Sequence, residues 1–305
     1  MIQIPTVFIV GAGASAEYGF PLGGALVKQI VFHMREEGTA LRQALARVGV
    51  GLRDAEEFGI RLRDSDSDSI DTFLENNSEE FVRIGKAAIA CVILLAEEEC
   101  ASRNRLVADP PGDHWLKYVW NTARGGCNAA TLAENRLSFV SFNYDRVLET
   151  YLDGVIQSTF NLEAVEAAAL RAKAFPIVHL HGQVSGVGFG EVEGAFADNH
   201  LERLSSGIRV VHDEVPTNGP AFESAFNMIA SARRICCLGF GFHPTNIRRL
   251  RLHDIMSPDA RFHGSTFGMG EAQIRQAQST LNLQIERTLP HLKCASFLRE
   301  CVDLT

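Results

Sequence analysis

The stretch that decides the fold is Thr6-Val7-Phe8-Ile9-Val10-Gly11-Ala12-Gly13-Ala14-Ser15, a short apolar run that ends in a glycine-rich turn. Three further apolar runs end in comparable motifs, namely Asn143-Tyr144-Asp145, His181-Gly182 and Gly239-Phe240-Gly241-Phe242. Apolar runs this short are typical of buried parallel strands. Ligands bind beyond the carboxyl ends of the strands in an open α/β sheet, so the four motifs predict one shared crevice.

The order of these runs predicts an α/β fold with a Rossmann-like, mostly parallel sheet and helices on both faces. Strands are predicted at 6–10, 137–142, 177–180, 208–211, 235–238 and 265–269, and helices at 22–35, from 146 onward and at 221–232. Between 36 and 135 apolar residues recur at helical spacing without a strand pattern. We therefore expect a helical insertion subdomain at 36–135, within a Rossmann-like nucleotide-binding domain made of 1–35 and 136–305.

Composition and charge narrow the class of protein. The chain has 305 residues, of which 46% are hydrophobic and 22% are charged, as in ordinary globular proteins. A net charge of −8 argues against strong direct binding to nucleic acid. Seven cysteines without a C-x-x-C pair favour a reduced, cytoplasmic protein, and no signal peptide is visible. The longest apolar run, 87–96, is shorter than the roughly 20 residues of a membrane span and indicates a buried helix.

The glycine-rich turn has the pattern Gly11-x-Gly13-x-x-Ala16 between a predicted strand and a predicted helix. In such a turn the first glycine permits the tight bend, and the second lets the backbone approach a pyrophosphate. N–H groups at the start of the helix bind anions. The alternative is a tight turn without a ligand. An ordinary dehydrogenase is disfavoured, because Glu36 and Glu37 follow a predicted helix rather than a second strand.

Taken in order, the motifs resemble those of the sirtuin-like superfamily, and in particular the bacterial sirtuin-like NADases of anti-phage defence. The resemblance rests on Gly11-Ala12-Gly13-Ala14-Ser15 with Gly19-Phe20-Pro21, on Ser141-Phe142-Asn143-Tyr144-Asp145, on His181-Gly182 and on Gly239-Phe240-Gly241-Phe242. Residues 183–234 lack the paired cysteines of the deacylase zinc module. Phe20-Pro21-Leu22-Gly23 stands where deacylases carry an Asp and an Arg, and Phe142 replaces their Gln. These departures disfavour recognition of acyl-lysine.

The resemblance implies NAD as the substrate, with no metal, and a set of site residues. It implies catalytic roles for Asn143, His181 and Asp145, and cofactor-binding roles for Gly11, Ala12, Gly13, Ala14, Ser15, Phe20, Pro21, Asp71, Gly239, Phe240, Gly241 and Asn246. The family's Asn holds a water or a ribose hydroxyl near the anomeric carbon. Nicotinamide leaves as a neutral molecule, so the general acid of ordinary glycosidases is not required. A histidine that titrates near neutrality suits the acceptor of a hydroxyl proton.

Each motif also has a structural interpretation. Asn143 and Asp145 are residue types that cap helices, and His181 resembles a buried structural histidine. His179 lies on the same strand face as His181, and a His-x-His pair binds metal when a third ligand is present, but no third ligand is evident. The carboxylates from Asp64 to Glu75 resemble a calcium loop that has Ser69 where glycine is needed. A solvated acidic loop before a helix that starts near Ile70 is the favoured interpretation.

The function expected from the resemblance is an NAD glycohydrolase that acts as a regulated defence effector. Two alternatives stay open: an NAD-dependent deacylase or ADP-ribosyltransferase, and an inactive scaffold that binds NAD or ADP-ribose. The expected partners, by family habit, are further copies of the chain or a regulatory protein, such as a HerA-type ATPase, a sensor of a nucleotide signal or an Argonaute-like protein. No membrane association is expected.

Overall fold

The computed structural model describes residues 1–75, 77–106, 112, 114–184, 186–192, 200–210 and 219–304. These residues contain one sheet of five strands, all parallel, in the order β3-β2-β1-β4-β5. The strands are β1 Thr6–Val10, β2 Leu137–Ser141, β3 Ile177–His179, β4 Arg234–Leu238 and β5 Arg261–Gly264. The α/β class and the Rossmann-like parallel sheet are confirmed.

The described residues also form fourteen α-helices. They are α1 Gly23–Arg35, α2 Ala40–Arg47, α3 Leu52–Asp64, α4 Ile70–Leu74, α5 Glu79–Ser102, α6 Trp115–Arg124, α7 Val147–Phe160, α8 Ala164–Ala174, α9 His200–Ser205, α10 Pro220–Ser231, α11 Pro244–Leu250, α12 Leu252–Ile255, α13 Glu271–Leu281 and α14 Cys294–Cys301. The helices predicted at 22–35, from 146 and at 221–232 correspond to α1, α7 and α10. The run 87–96 lies inside α5, and most of its residues are buried.

Both faces of the sheet are buried, which explains why its strands are apolar rather than alternating. Successive side chains of a strand point to opposite faces. Phe8 and Val10 of β1 therefore join the core that includes α1, α5, α6 and α7. Val7 and Ile9 join the second core, which includes α10, α11 and α13. Helices thus cover both faces.

The register of the sheet brings the predicted motifs to one edge. Val10 at the end of β1 lies opposite Ser141 of β2 and Leu238 of β4. Ser141 in turn lies opposite His179 of β3. After β1 the chain builds β2 and β3 on one side and then returns to place β4 on the other. The crevice between the ends of β1 and β4 is therefore a topological switch point, where ligands bind in this class of fold.

The helices α2 to α6 lie between α1 and β2, as the predicted insertion requires. Their hydrophobic core is continuous with that of the sheet. Trp115 of α6 contacts Phe8 edge to face at 6.4 Å between ring centroids, and its indole Nε1 donates to Ala14 O at 2.8 Å. The insertion is thus packed directly against the glycine-rich turn. The domain boundaries at 35 and 136 stay a prediction.

Two predicted strands are wrong. Residues 208–210 are not a strand, although Ile208 and Val210 are buried, and residue 211 lies outside the described residues. Their apolar pattern reflects packing beside the His181 segment, whose carbonyl accepts from Arg209 N at 2.9 Å. The last strand is Arg261–Gly264 rather than 265–269. Phe267, the aromatic residue of the predicted strand, is 55% exposed and follows the end of the observed one.

Two further findings concern cysteines and helices. All seven cysteines are free, and five of them are buried. Burial raises the pKa of the Cys91 and Cys236 thiols well above the ordinary range. Among the described residues, no helix combines the length and the apolar character needed to cross a bilayer.

Candidate functional site

A cleft of about 350 Å³ opens at the carboxyl edge of the sheet, between the ends of β1, β2 and β4 and helix α4. Most of the predicted site residues line it: Gly11, Ala12, Phe20, Pro21, Asp71, Asn143, Asp145, His181, Phe240, Gly241 and Asn246. A second pocket of about 570 Å³ lies on the other side of the glycine-rich turn and is lined by Gly13 and Gly239. The two pockets share Ala12, Gly23, Phe240 and Gly241 as a common wall. Asn143 and His181 therefore lie in the same cleft.

The glycine-rich turn is shaped by its contact with the turn after β4. A Cβ on Gly11 would lie 2.6 Å from Gly239 O, and a Cβ on Gly13 would lie 2.8 Å from Gly239 Cα. Gly239 itself has φ +57° and approaches the N–H of Ala14. Only glycine fits at these positions, because the two turns meet backbone to backbone.

The sequence predicted that the turn opens directly into an α-helix, but in the structure it does not. It continues into two 3₁₀ turns, Ala12–Ala14 and Ala16–Tyr18, and α1 begins only at Gly23. Three of its N–H groups donate to backbone carbonyls: Gly13 N to Gly239 O at 2.9 Å, in the turn after β4, Ala14 N to Gly11 O and Ser15 N to Ala12 O. Those donors are therefore engaged by the backbone rather than directed at a ligand. The start of α1, at Gly23, borders both pockets instead.

Asn143 is fixed against the glycine-rich turn. Its Nδ2 donates to Gly11 O at 3.2 Å and to Ser15 Oγ at 3.0 Å, which uses both amide hydrogens. Its Oδ1 makes no hydrogen bond with the described residues, and the residue lines the cleft. The amide can therefore accept a hydrogen bond from a water or a hydroxyl.

Ser15 has a different place from the one predicted. It is 3% exposed, below the surface of both pockets, and its hydroxyl joins Asn143 to Asp145. Ala14 is likewise buried beneath the cleft. The two residues support the site from below and do not line it.

Asp145 is buried, and one of its roles is structural. Burial raises the pKa of Asp145 to about 6, although hydrogen bonds from Val147 N and Ser15 oppose the rise. The bond from Val147 N, at 3.1 Å, satisfies the first turn of α7. The capping interpretation holds for Asp145 only in part, because Asp145 accepts from the first N–H of α7 but precedes the N-cap residue, Arg146, which provides no side-chain cap. Asp145 also lines the cleft. For Asn143 it does not hold, because that side chain binds the glycine-rich turn.

His181 is held in the cleft by aromatic and charged neighbours. It is 4% exposed, and its ring meets Phe142 edge to face at 5.2 Å between centroids. Arg249 Nη1 lies 3.4 Å from His181 Nε2. Burial lowers the pKa of His181, the Arg249 cation lowers it further, and the Asp71 carboxylate opposes both. The imidazole is therefore neutral at pH 7, as an acceptor of protons must be.

The residue after His181 is required to be glycine. Gly182 has φ +66°, and a Cβ there would lie 1.8 Å from Gly207 O. The motif His181-Gly182 thus places the histidine at a sharp turn where the chain passes close to the segment before Ile208.

His179 lies behind the site. Its Nδ1 is 2.9 Å from Asn143 O and its Nε2 is 2.8 Å from Glu149 Oε1, so both ring nitrogens face acceptors. Burial lowers the pKa of His179, but the bond and the charge of Glu149 outweigh it, so the pKa is raised. With both nitrogens engaged, His179 orients the backbone of Asn143. Among the described residues no three His, Cys, Asp or Glu side chains form a metal-binding group.

Helix α4 forms the wall of the cleft opposite the sheet. It begins at Ile70, as predicted, and Ser69 caps it by accepting from Thr72 N at 3.2 Å. Asp71 accepts from Tyr144 OH at 2.7 Å, which ties α4 to the end of β2. Asp64, the first acid of the calcium-like pattern, pairs instead with Arg63 at 2.7 Å. The acids therefore serve the cleft wall and the surface.

An ion pair that was not predicted from the sequence links the insertion to the site. Arg146 donates through its Nε and its backbone N to Glu97 Oε1 at 3.1 and 3.2 Å, and through Nη2 to Glu97 Oε2. Glu97 is 0% exposed. In the sequence it opens the acidic run Glu97-Glu98-Glu99, which directly follows the apolar run 87–96. The signal in the sequence is its position four residues after the apolar Ile93, which places both on one face of a helix.

The chain was compared with known protein families and curated proteins. No protein-family model matches the chain, and no curated protein shows significant similarity to it.

Proposed function

We propose that the protein is an NAD glycohydrolase that cleaves NAD to nicotinamide and ADP-ribose. One observation carries the proposal: candidate residues from the ends of separate strands line one open cleft, and that cleft adjoins a second pocket. The two volumes, about 350 and about 570 Å³, share a wall at Ala12 and Gly241. Together they suit a ligand with two separate ring systems joined by a linker, since ligand sites commonly enclose about 300–1,000 Å³.

The start of α1 supplies an anion-binding element at the junction of the two pockets. The first N–H groups of an α-helix have no partner within the helix, and they favour negative charge. Leu22, the residue before α1, provides no side-chain cap. Gly23 lines both pockets, and the absence of a side chain there leaves the backbone accessible. A pyrophosphate at this junction would leave one nucleoside in each pocket.

The candidate catalytic groups fit the cleavage of a nicotinamide riboside. Asn143 Oδ1 accepts from the attacking water or from a ribose hydroxyl, while the two bonds of Nδ2 hold the amide in place. His181, neutral at pH 7, takes the proton from the hydroxyl or the water. Carboxylates on the cleft wall, Asp71 among them, favour the positive charge of the nicotinamide ring and of an oxocarbenium-like transition state. Nicotinamide leaves as a neutral molecule and needs no acid.

Regulation belongs to the same proposal. Unrestrained hydrolysis of NAD would deplete the cell that makes the enzyme, so we expect the activity to be controlled by assembly of the chain or by a partner. The proposed setting is an anti-phage defence system, as the resemblance of the motifs implies.

The test is to incubate the purified chain with NAD, alone and with co-expressed genomic neighbours, and to quantify nicotinamide and ADP-ribose. Asn143→Ala and His181→Ala are each expected to lose at least about a hundredfold in rate, the usual scale for loss of a positioned acid–base group. His253→Ala, in an exposed histidine outside the cleft, is the matched control and keeps full activity.

The other outcomes discriminate between the alternatives. Full activity in both cleft variants rejects the site. A strict requirement for an acylated peptide or a protein acceptor rejects hydrolysis in favour of a deacylase or a transferase. Binding of NAD without turnover, with every candidate partner present, indicates a scaffold.

A further inference from the structure

The contact with Arg249 determines which ring nitrogen of His181 carries the proton. Arg249 Nη1 lies 3.4 Å from Nε2 of His181. A guanidinium has only donors, so Nε2 must present its lone pair, and the proton of the neutral ring is on Nδ1. The contact therefore selects the tautomer whose Nε2 can act as a base. It also engages that nitrogen, because a lone pair that accepts from a guanidinium cannot take a proton at the same time.

The helix that carries Arg249 also lines the cleft. Thr245 and Asn246 of α11 both border the cleft, and Arg249 follows them by four and three residues. Residues at these spacings lie on one face of a helix, so Arg249 shares a face of α11 with two cleft residues and reaches the site through its contact with His181. Its side chain is half-buried. A ligand phosphate in the cleft is then a competing acceptor, since guanidinium pairs strongly and bidentately with phosphate.

The charged surroundings of His181 come from several elements. Asp71 of α4 raises the pKa of His181, whereas Arg249 lowers it. Tyr144, a residue that follows β2, has its ring 6.1 Å from the His181 ring between centroids. The other titratable groups that line the cleft are Asp68, Glu75, Asp145 and His243. Among the described residues, Arg249 is the arginine whose side chain lies within hydrogen-bond distance of the His181 ring.

We infer that Arg249 is a positioning residue that caps Nε2 of His181 and is drawn off by a phosphate of the bound nucleotide, so that ligand binding frees the base. The inference rests on the proposed function, because it assumes a phosphate-containing ligand in this cleft. It couples correct substrate binding to activation of the base, and it makes an anionic ligand group a condition for proton transfer.

The test is a pH titration of the histidine side chains by ¹H–¹⁵N NMR, with His181→Gln used to assign the His181 signals among the ten histidines. In Arg249→Gln the pKa of His181 is expected to rise, since a neighbouring cation is removed. Arg249→Lys, which keeps the charge but not the planar fork, is expected to lie between this variant and the wild type. Arg248→Gln removes the same charge from an exposed position of α11 and is the matched control, with an unchanged titration.

ADP-ribose is the probe for the exchange. Added to the wild type, it is expected to move the Nε2 signal and raise the pKa of His181. In Arg249→Gln the rise should be smaller, because only the charge of the pyrophosphate then acts on the ring. The affinity of Arg249→Gln for ADP-ribose is expected to fall about tenfold, which corresponds to 1.4 kcal/mol. An unchanged His181 titration in Arg249→Gln overturns the inference, and so does equal ADP-ribose affinity in that variant. The titration needs no turnover, so a wild type that binds ADP-ribose but hydrolyses no NAD with every candidate partner present refutes only the proposed function.

Discussion

The buried pair Glu97–Arg146 offers a direct test of how the insertion is joined to the site. Arg146 follows Asp145 directly, and it is bonded to a carboxylate of α5 that has no exposure. We predict that Arg146→Met lowers the free energy of unfolding by about 3–5 kcal/mol near pH 8, the usual cost of leaving one member of a buried pair unpaired. The matched control is Arg103→Met. Its pair with Glu99 lies at 2.9 Å but is exposed, so the cost is below about 1 kcal/mol.

The loss of stability in Arg146→Met should depend on pH, and its direction follows from the pKa of Glu97. Burial already raises the pKa of Glu97, and the bonds from Arg146 hold that rise in check. Without Arg146 the pKa rises further, so the native state keeps a proton that the unfolded state releases above about pH 4.3. The free energy of unfolding of the variant therefore falls as pH rises, and its deficit is larger at about pH 8 than at about pH 5.

The assay is urea-induced unfolding followed by circular dichroism at both pH values, with the double variant Glu97→Gln/Arg146→Met as a third sample. The double variant is expected to recover part of the loss, because no buried charge is then left unpaired. A deficit in Arg146→Met that matches Arg103→Met, or one that does not change with pH, would refute the reasoning.

Two further predictions concern the turn and the histidine behind the site. Gly239→Ala would place a Cβ 2.1 Å from Ala14 N at φ +57°, so we expect the free energy of unfolding to fall by about 2–5 kcal/mol and ADP-ribose binding to be lost. The control is Gly241→Ala, which is also at positive φ but has nothing within 4 Å of the added Cβ, so it should cost only about 1–2 kcal/mol. Equal losses in the two variants would contradict the backbone clash. The raised pKa of His179 and the lowered pKa of Glu149 predict that their pair contributes fully between about pH 4.3 and about pH 6.5. The contribution is lost as pH rises through the raised value or falls through the lowered one, so Glu149→Gln should flatten the curve of unfolding midpoint against pH, and an unaltered curve would exclude the pair.

The part of the site that could be predicted from the sequence is the part that parallel strands determine. Carboxyl ends of neighbouring parallel strands meet at one edge, so motifs after β1, β2, β3 and β4 had to meet wherever the strands were recognised. Asn143 and His181 were found in this way. The two wrong strands have another cause, because apolar residues also occur outside strands. Ile208 and Val210 are buried without belonging to the sheet, and Phe267 is exposed.

The contacts that orient the candidate catalytic groups could not be predicted in the same way. Ser15 fits a phosphate-binding motif, but the turn folds back on Gly239 and carries the hydroxyl beneath the cleft to Asn143. Arg249 and Glu149 lie on helices whose rotation about their axes decides which side chains face inward. A local pattern does not contain that rotation, because it is set by packing against the rest of the chain.

The cleft depends on the insertion as much as on the sheet, and this bears on how the site would be controlled. The Tyr144–Asp71 hydrogen bond ties α4 to the end of β2. Trp115 of α6 donates to the carbonyl of Ala14, within the turn that holds Asn143. A displacement of the insertion would therefore move the cleft wall and the support of the candidate catalytic amide together. If the proposed hydrolysis is controlled by a partner or a second copy that binds the insertion, the control would act through these few bonds, and Tyr144→Phe, which removes one of them, should weaken it before it weakens the fold.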